Sequence, residues 1–71
     1  MTTAVEFITS AFSDCLTHEE PRPITLGQAA RMIKDWTEDG AVEIPPTIDP
    51  LTVSRTWNIL CGKHMAAHRT F

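Results

Sequence analysis

The chain has 71 residues, of which 42% are hydrophobic and 21% are charged, and its formal net charge is −3. This composition is typical of one small folded domain and excludes a disordered chain. No apolar run approaches the roughly 18 residues that a membrane span requires, and the first residues lack the layout of a secretory signal. We therefore expect one domain over residues 1–71, located in the cytoplasm and without membrane contact.

The first predicted helix begins at a capping box. Thr3 can accept a hydrogen bond from a first-turn N–H, and Glu6 can reach back to the Thr3 N–H. Apolar residues then recur at helical spacing, namely Val5, Ile8, Phe12, Cys15 and Leu16. Pro21 and Pro23 cannot continue a helix. The pattern predicts a helix over residues 3–19, followed by a stiff connector.

The second predicted helix starts in the same way, with Thr25 and Gln28 in a capping box. Its predicted buried face is Leu26, Ala29, Ala30, Ile33, Trp36 and Thr37. Gly40 follows the last periodic residue, where glycine often takes the left-handed conformation that ends a helix. The sequence therefore predicts a helix over residues 25–39. Pro45 and Pro46 exclude a helix in the next stretch, and we expect residues 40–49 to lie extended across the other helices.

The third predicted helix is the one around which the chain is organised. Asp49 can cap its free N–H groups, and Pro50 suits the first helical position. One face carries a long buried stripe, which is Val53, Trp57, Leu60, Cys61, His64, Ala67, His68 and Phe71. The opposite face includes Asn58 and Ile59. We predict a helix over residues 50–69, and hence an all-α fold that is a compact three-helix bundle.

Cysteine and histidine residues form the only group with a spacing typical of a metal site. Cys15 and His18 are three residues apart, and a second group follows on the third helix, namely Cys61, His64 and His68. Thiolates and imidazoles together bind zinc, but most such sites include a tight paired-cysteine turn, which this sequence lacks. Buried cysteine is common for packing alone. We predict reduced buried thiols, no metal ion and no cofactor, with a disulfide between Cys15 and Cys61 as the alternative.

Charge alternates along the chain in blocks, and this layout gives the functional prediction. Residues 1–20 carry −4, residues 21–34 carry +3, residues 35–49 carry −5 and residues 50–71 carry +3. The sequence has no phosphate-binding loop, no nucleophile turn and no catalytic residues that stand out. We therefore predict a protein–protein interaction module and no enzyme. Its predicted partner-binding residues are Glu38, Asp39, Glu43 and Asp49.

An acidic surface would attract a partner with a basic surface, such as a protein that handles nucleic acid. A small acidic domain of this kind would suit a phage or mobile-element inhibitor of a host nucleic-acid enzyme, including an anti-CRISPR role. The alternative is a helical DNA-binding regulator that uses the outward basic face of the third helix, namely Arg55, Lys63 and Arg69. The net negative charge argues against nucleic acid as the partner. A homodimer through Phe7, Ile59 or the small residues of the second helix could accompany either role.

Overall fold

The computed structural model describes residues 3–18, 20–40 and 44–67. In these ranges the chain forms three α-helices and no strand: α1 spans Ala4–Leu16, α2 spans Leu26–Glu38 and α3 spans Pro50–Ala67. Helix α3 packs against both α1 and α2. The predicted all-α three-helix bundle is therefore confirmed, with α3 at its centre. None of the three described helices is both long and apolar enough to cross a membrane.

The helix starts lie where the capping signals predict them. At α2 both bonds of the capping box form: the Gln28 N–H donates to Thr25 Oγ1 at 3.2 Å, and the Thr25 N–H donates to Gln28 Oε1 at 2.8 Å. At α1 the Glu6 N–H donates to Thr3 Oγ1 at 3.1 Å, which is one half of the predicted pair. Gly40 has φ of 73°, so it takes the predicted left-handed conformation just after α2. Helix α1 ends at Leu16, earlier than the predicted residue 19.

The core lies where α1 and α2 cover the inner face of α3. The residues that form it are Ile8, Phe12, Ala29, Val53, Trp57 and Cys61. The rings of Phe12 and Trp57 meet edge to face with centroids 5.1 Å apart. Val5 and Leu26, which the periodicity assigns to buried faces, are each 54% exposed. Both lie at the edge of those faces on the helical wheel, because the buried residues of each helix centre roughly 70–80° away from them.

Phe7, which the sequence offers as a possible dimer contact, is partly covered within the chain. Its side chain is half-buried. Its ring meets that of Trp36 edge to face, with centroids 5.1 Å apart, and this contact joins α1 to α2. Because Trp36 covers part of the Phe7 ring, Phe7 is a weaker candidate for a dimer interface than a fully exposed ring would be.

The connector between α1 and α2 is fastened to α3 by two neighbouring side chains. The Trp57 Nε1–H donates to the Arg22 carbonyl at 2.9 Å. Asn58 bonds to both backbone groups of Ile24: its Oδ1 accepts from the Ile24 N–H at 2.8 Å, and its Nδ2 donates to the Ile24 carbonyl at 3.0 Å. These bonds satisfy part-buried backbone groups that lack a partner within any helix. They also place Asn58 against the connector, although the sequence assigns it to the outward face.

The segment before α3 contains a turn, so its described part is not fully extended as predicted. The Ile48 N–H donates to the Pro45 carbonyl at 3.1 Å, and Pro45 itself is buried. Ile48 packs against the core. Residues 41–43, which include the predicted partner-binding Glu43, lie outside the described part of the chain.

Helix α3 begins at the predicted cap. The Thr52 N–H donates to Asp49 Oδ1 at 3.0 Å, and the Val53 N–H donates to the Asp49 carbonyl at 3.0 Å. Hydrogen bonding from the Thr52 side chain, and then from its backbone N–H, lowers the pKa of Asp49 below its ordinary value. The ionised carboxylate therefore stabilises the start of the helix.

We expect this contribution to be lost in acid. Because the pKa of Asp49 is lower in the folded chain than in the unfolded chain, its stabilisation is complete above the ordinary value of 3.8 and disappears as pH falls through the folded pKa. Asp49→Asn keeps an uncharged cap, so the variant should melt a few degrees below the natural protein near neutral pH and approach it in strong acid. Melting curves followed by circular dichroism across this pH range measure the difference. A gap that stays constant over the whole range would contradict the prediction.

Candidate protein interaction site

A shallow groove at the end of α2 contains part of the predicted acidic surface. It has a volume of about 360 Å³ and is lined by Asp35, Trp36, Glu38 and Asp39. Asp35 and Glu38 are three residues apart and Asp39 is the C-cap of α2, so helical geometry brings the three carboxylates to one side of the last turn. Trp36 is half-buried, and its contact with the Phe7 ring holds the indole in place.

The electrostatics of this groove oppose helix stability. Three carboxylates lie at the C-terminal end of α2, where the unpaired carbonyl groups already concentrate negative charge, and the last turn contains no basic residue. Like charges three or four residues apart in a helix repel each other, and an acidic residue at a C-terminus interacts unfavourably with the helix dipole. Local rules of this kind are often broken where a surface serves a function. Arg31 and Lys34, which stand four residues before Asp35 and Glu38, offset part of this repulsion.

The groove has the chemistry to receive a cationic side chain. Carboxylates form charge-assisted hydrogen bonds with guanidinium and ammonium groups. The face of an indole attracts the same cations through the ring quadrupole, and Trp is the most effective ring for this contact. Trp36 and the three carboxylates line one shallow groove of about 360 Å³.

The groove includes two of the four residues of the predicted acidic surface. Glu38 and Asp39 line the groove, whereas Asp49 caps α3 and is not among the groove residues. Glu43 lies outside the described residues. The predicted site did not include the other two groove residues. The spacing of Asp35 from Glu38 could have revealed the first, while Trp36 was placed on the buried face of the second helix.

The alternative basic surface is also only partly described. Arg55 and Lys63 are both exposed on α3, while Arg69 lies outside the described residues. Two apolar side chains are exposed on the same helix, Leu51 at 50% and Ile59 at 59%. The outward side of α3 is therefore mixed in character and is not a continuous cationic stripe of the kind that tracks a phosphate backbone.

The described cysteines and histidines of the metal alternative differ in their exposure. His18 is exposed beyond the end of α1, whereas Cys61 is buried and Cys15 is half-buried. The His64 ring lies 6.3 Å from that of Phe12, and His68 is outside the described residues. Within the described ranges no group of three or more Cys, His, Asp or Glu side chains is arranged to hold a metal ion.

No family model matches this chain, and no curated protein or solved structure shows significant similarity to it. The function must therefore be inferred from the groove and from the charges around it.

Proposed function

We propose that this protein is a small acidic interaction module that acts by binding another protein and not by catalysis. The groove at the end of α2 supports this proposal most directly, because three carboxylates and a half-buried indole line one concave surface. In the bound state, an arginine or lysine side chain of the partner occupies this groove. Negative charge at the helix end then steers the basic partner toward the groove and speeds its association.

The chemistry of the groove favours a partner with a strongly basic surface. Proteins that handle nucleic acids carry such surfaces, since they must neutralise phosphate groups. An acidic module bound there would compete with the nucleic acid for the same cations. We therefore propose an inhibitor of a nucleic-acid enzyme, encoded by a phage or mobile element, with an anti-CRISPR role as one instance. The cytoplasmic location predicted from the sequence stays a prediction.

Charge reversal in the groove should abolish this binding. The tagged natural protein is expected to retain a basic protein from a lysate of its host, and raising the salt concentration should weaken the complex. Glu38→Lys combined with Asp39→Lys places two cations against the partner's cation. Its affinity for the captured protein, measured by surface plasmon resonance, should fall by at least about tenfold.

A matched double variant distinguishes the effect of the groove residues on binding from the effect of the net charge. Asp14→Lys combined with Glu20→Lys changes the net charge by the same amount, and both residues are exposed outside the groove. This variant should keep most of the affinity, with only its association rate reduced. Equal losses in both double variants would contradict a role for the groove, and full binding by the groove variant would contradict the proposal itself. Circular dichroism confirms that each variant is folded.

A further inference from the structure

Cys15 on α1 and Cys61 on α3 adjoin the same end of the core. Cys61 is only 1% exposed and belongs to the buried cluster, and Cys15 is half-buried and packs against that cluster. Both side chains are thiols. The two residues are far apart in sequence, and the packing of α1 on α3 brings them to one region.

The ring contacts of Phe12 locate the two thiols more closely. Phe12 lies 5.1 Å from the Trp57 ring and 6.3 Å from the His64 ring, measured between centroids. Cys61 stands between these two residues on the same face of α3, so it lies opposite the Phe12 region of α1. Cys15 follows Phe12 by three residues, which is one helical turn along the same face. The two cysteines therefore occupy facing positions on packed helices.

Facing positions on packed helices satisfy the reach of a disulfide. Helix axes in contact are about 8–10 Å apart and each Cα lies about 2.3 Å from its axis, so facing Cα atoms can approach within the roughly 4.4–6.8 Å of a disulfide.

We propose that Cys15 is a site of oxidation by peroxide and that Cys61 resolves the oxidised form into a disulfide. The Cys15 thiolate attacks hydrogen peroxide: an S–O bond forms, the O–O bond breaks, and hydroxide leaves and is protonated to water. The Cys61 sulfur then attacks the Cys15 sulfenic acid, forming the S–S bond, breaking the S–O bond and releasing a second water. The two thiols lose two electrons and two protons, and the peroxide is reduced.

The different burial of the two thiols explains why Cys15 is oxidised first and Cys61 reacts second. Peroxide reacts with an accessible thiolate, and Cys15 is the more exposed of the pair. Burial, followed by the nearby charge of Cys15, raises the pKa of the Cys61 thiol, so a smaller fraction of it is thiolate and it reacts more slowly with peroxide. Its place beside Cys15 still allows it to trap the sulfenic acid. In a reducing compartment such a bond is transient, which is typical of redox-sensing disulfides.

Peroxide treatment of the folded natural protein tests the proposal. The expected product is a monomer that has lost two hydrogen atoms, about 2 Da by intact mass, and that regains them with dithiothreitol. Trypsin should release residues 1–31 joined to residues 56–63, since Arg22 precedes a proline and resists cleavage. The bond closes a long loop between two helices, so the oxidised protein should melt higher by about 10 °C or more.

Two single-cysteine variants test the separate roles of Cys15 and Cys61. Cys61→Ser should accumulate a Cys15 sulfenic acid that dimedone labels, and Cys15→Ser should resist both labelling and disulfide formation. The proposal is overturned if the natural protein gains oxygen without losing hydrogen. It is equally overturned if the protein forms only disulfide-linked dimers, or if it forms the bond in urea but not when folded. Because the mass and peptide measurements use the natural chain, they decide the matter even if a variant does not fold.

Discussion

Trp57→Ala should remove a large part of the free energy of unfolding. Trp57 is only 6% exposed, its ring packs on Phe12, and its Nε1–H donates to the Arg22 carbonyl. Truncating a buried aromatic side chain costs about 3–5 kcal/mol. A domain of this length has a free energy of unfolding of only about 4–10 kcal/mol. Urea denaturation followed by far-ultraviolet circular dichroism gives the loss directly.

Trp57→Phe is the matched control for this prediction. The phenyl ring keeps an aromatic contact with Phe12 but cannot donate to Arg22, so the expected loss combines one hydrogen bond with a small cavity, about 1–3 kcal/mol. Trp36→Ala should also cost less than Trp57→Ala, because Trp36 is only half-buried. An unfolding free energy for Trp57→Ala within about 1 kcal/mol of the natural value would show that the core does not depend on this ring.

The helix starts could be predicted because the interactions that fix them are local. The capping pair of Thr25 and Gln28, and the cap at Asp49, each act over three residues. The left-handed Gly40 likewise reflects the conformational freedom of a single residue. The apolar periodicity of α3 also predicted that this helix lies at the centre of the bundle. A long apolar stripe on one helix needs more than one neighbouring helix to bury it.

Contacts between distant parts of the chain could not be predicted in this way. The helical periodicity assigned Asn58 to the outward face of the third helix, because periodicity does not reveal that a connector crosses that face. The partner of Asn58 is Ile24, which is 34 residues away in the sequence. The same limit explains why Phe7 was offered as a dimer contact, although Trp36 of another helix packs against its ring. For the acidic site, residue type and spacing identified two groove residues, whereas the indole beside them became evident only from the packing.

The long-range contact of Asn58 leads to the second large effect. Asn58→Ala should release the connector and lower the free energy of unfolding by about 2–3 kcal/mol. The substitution removes two hydrogen bonds at once and leaves the part-buried N–H and carbonyl of Ile24 without their partner. Chemical denaturation measures the loss. Hydrogen exchange followed by nuclear magnetic resonance should show the Ile24 N–H exchanging faster, while amides in the middle of α3 change only with global stability.

Asn58→Asp tests the same contact through pH. The new carboxyl group can still accept from the Ile24 N–H, but when ionised it places a second acceptor against the Ile24 carbonyl. Only the protonated form can donate there, so folding raises the pKa of this carboxyl group, and the penalty of the substitution is smallest below its unfolded value of about 3.9. The stability gap to the natural protein should widen as pH rises through the folded pKa, whereas Asn58→Ala should show no such trend. If the stability of the two variants depended on pH in the same way, the connector would be held in place without Asn58. An unchanged exchange rate of the Ile24 N–H in Asn58→Ala would mean the same.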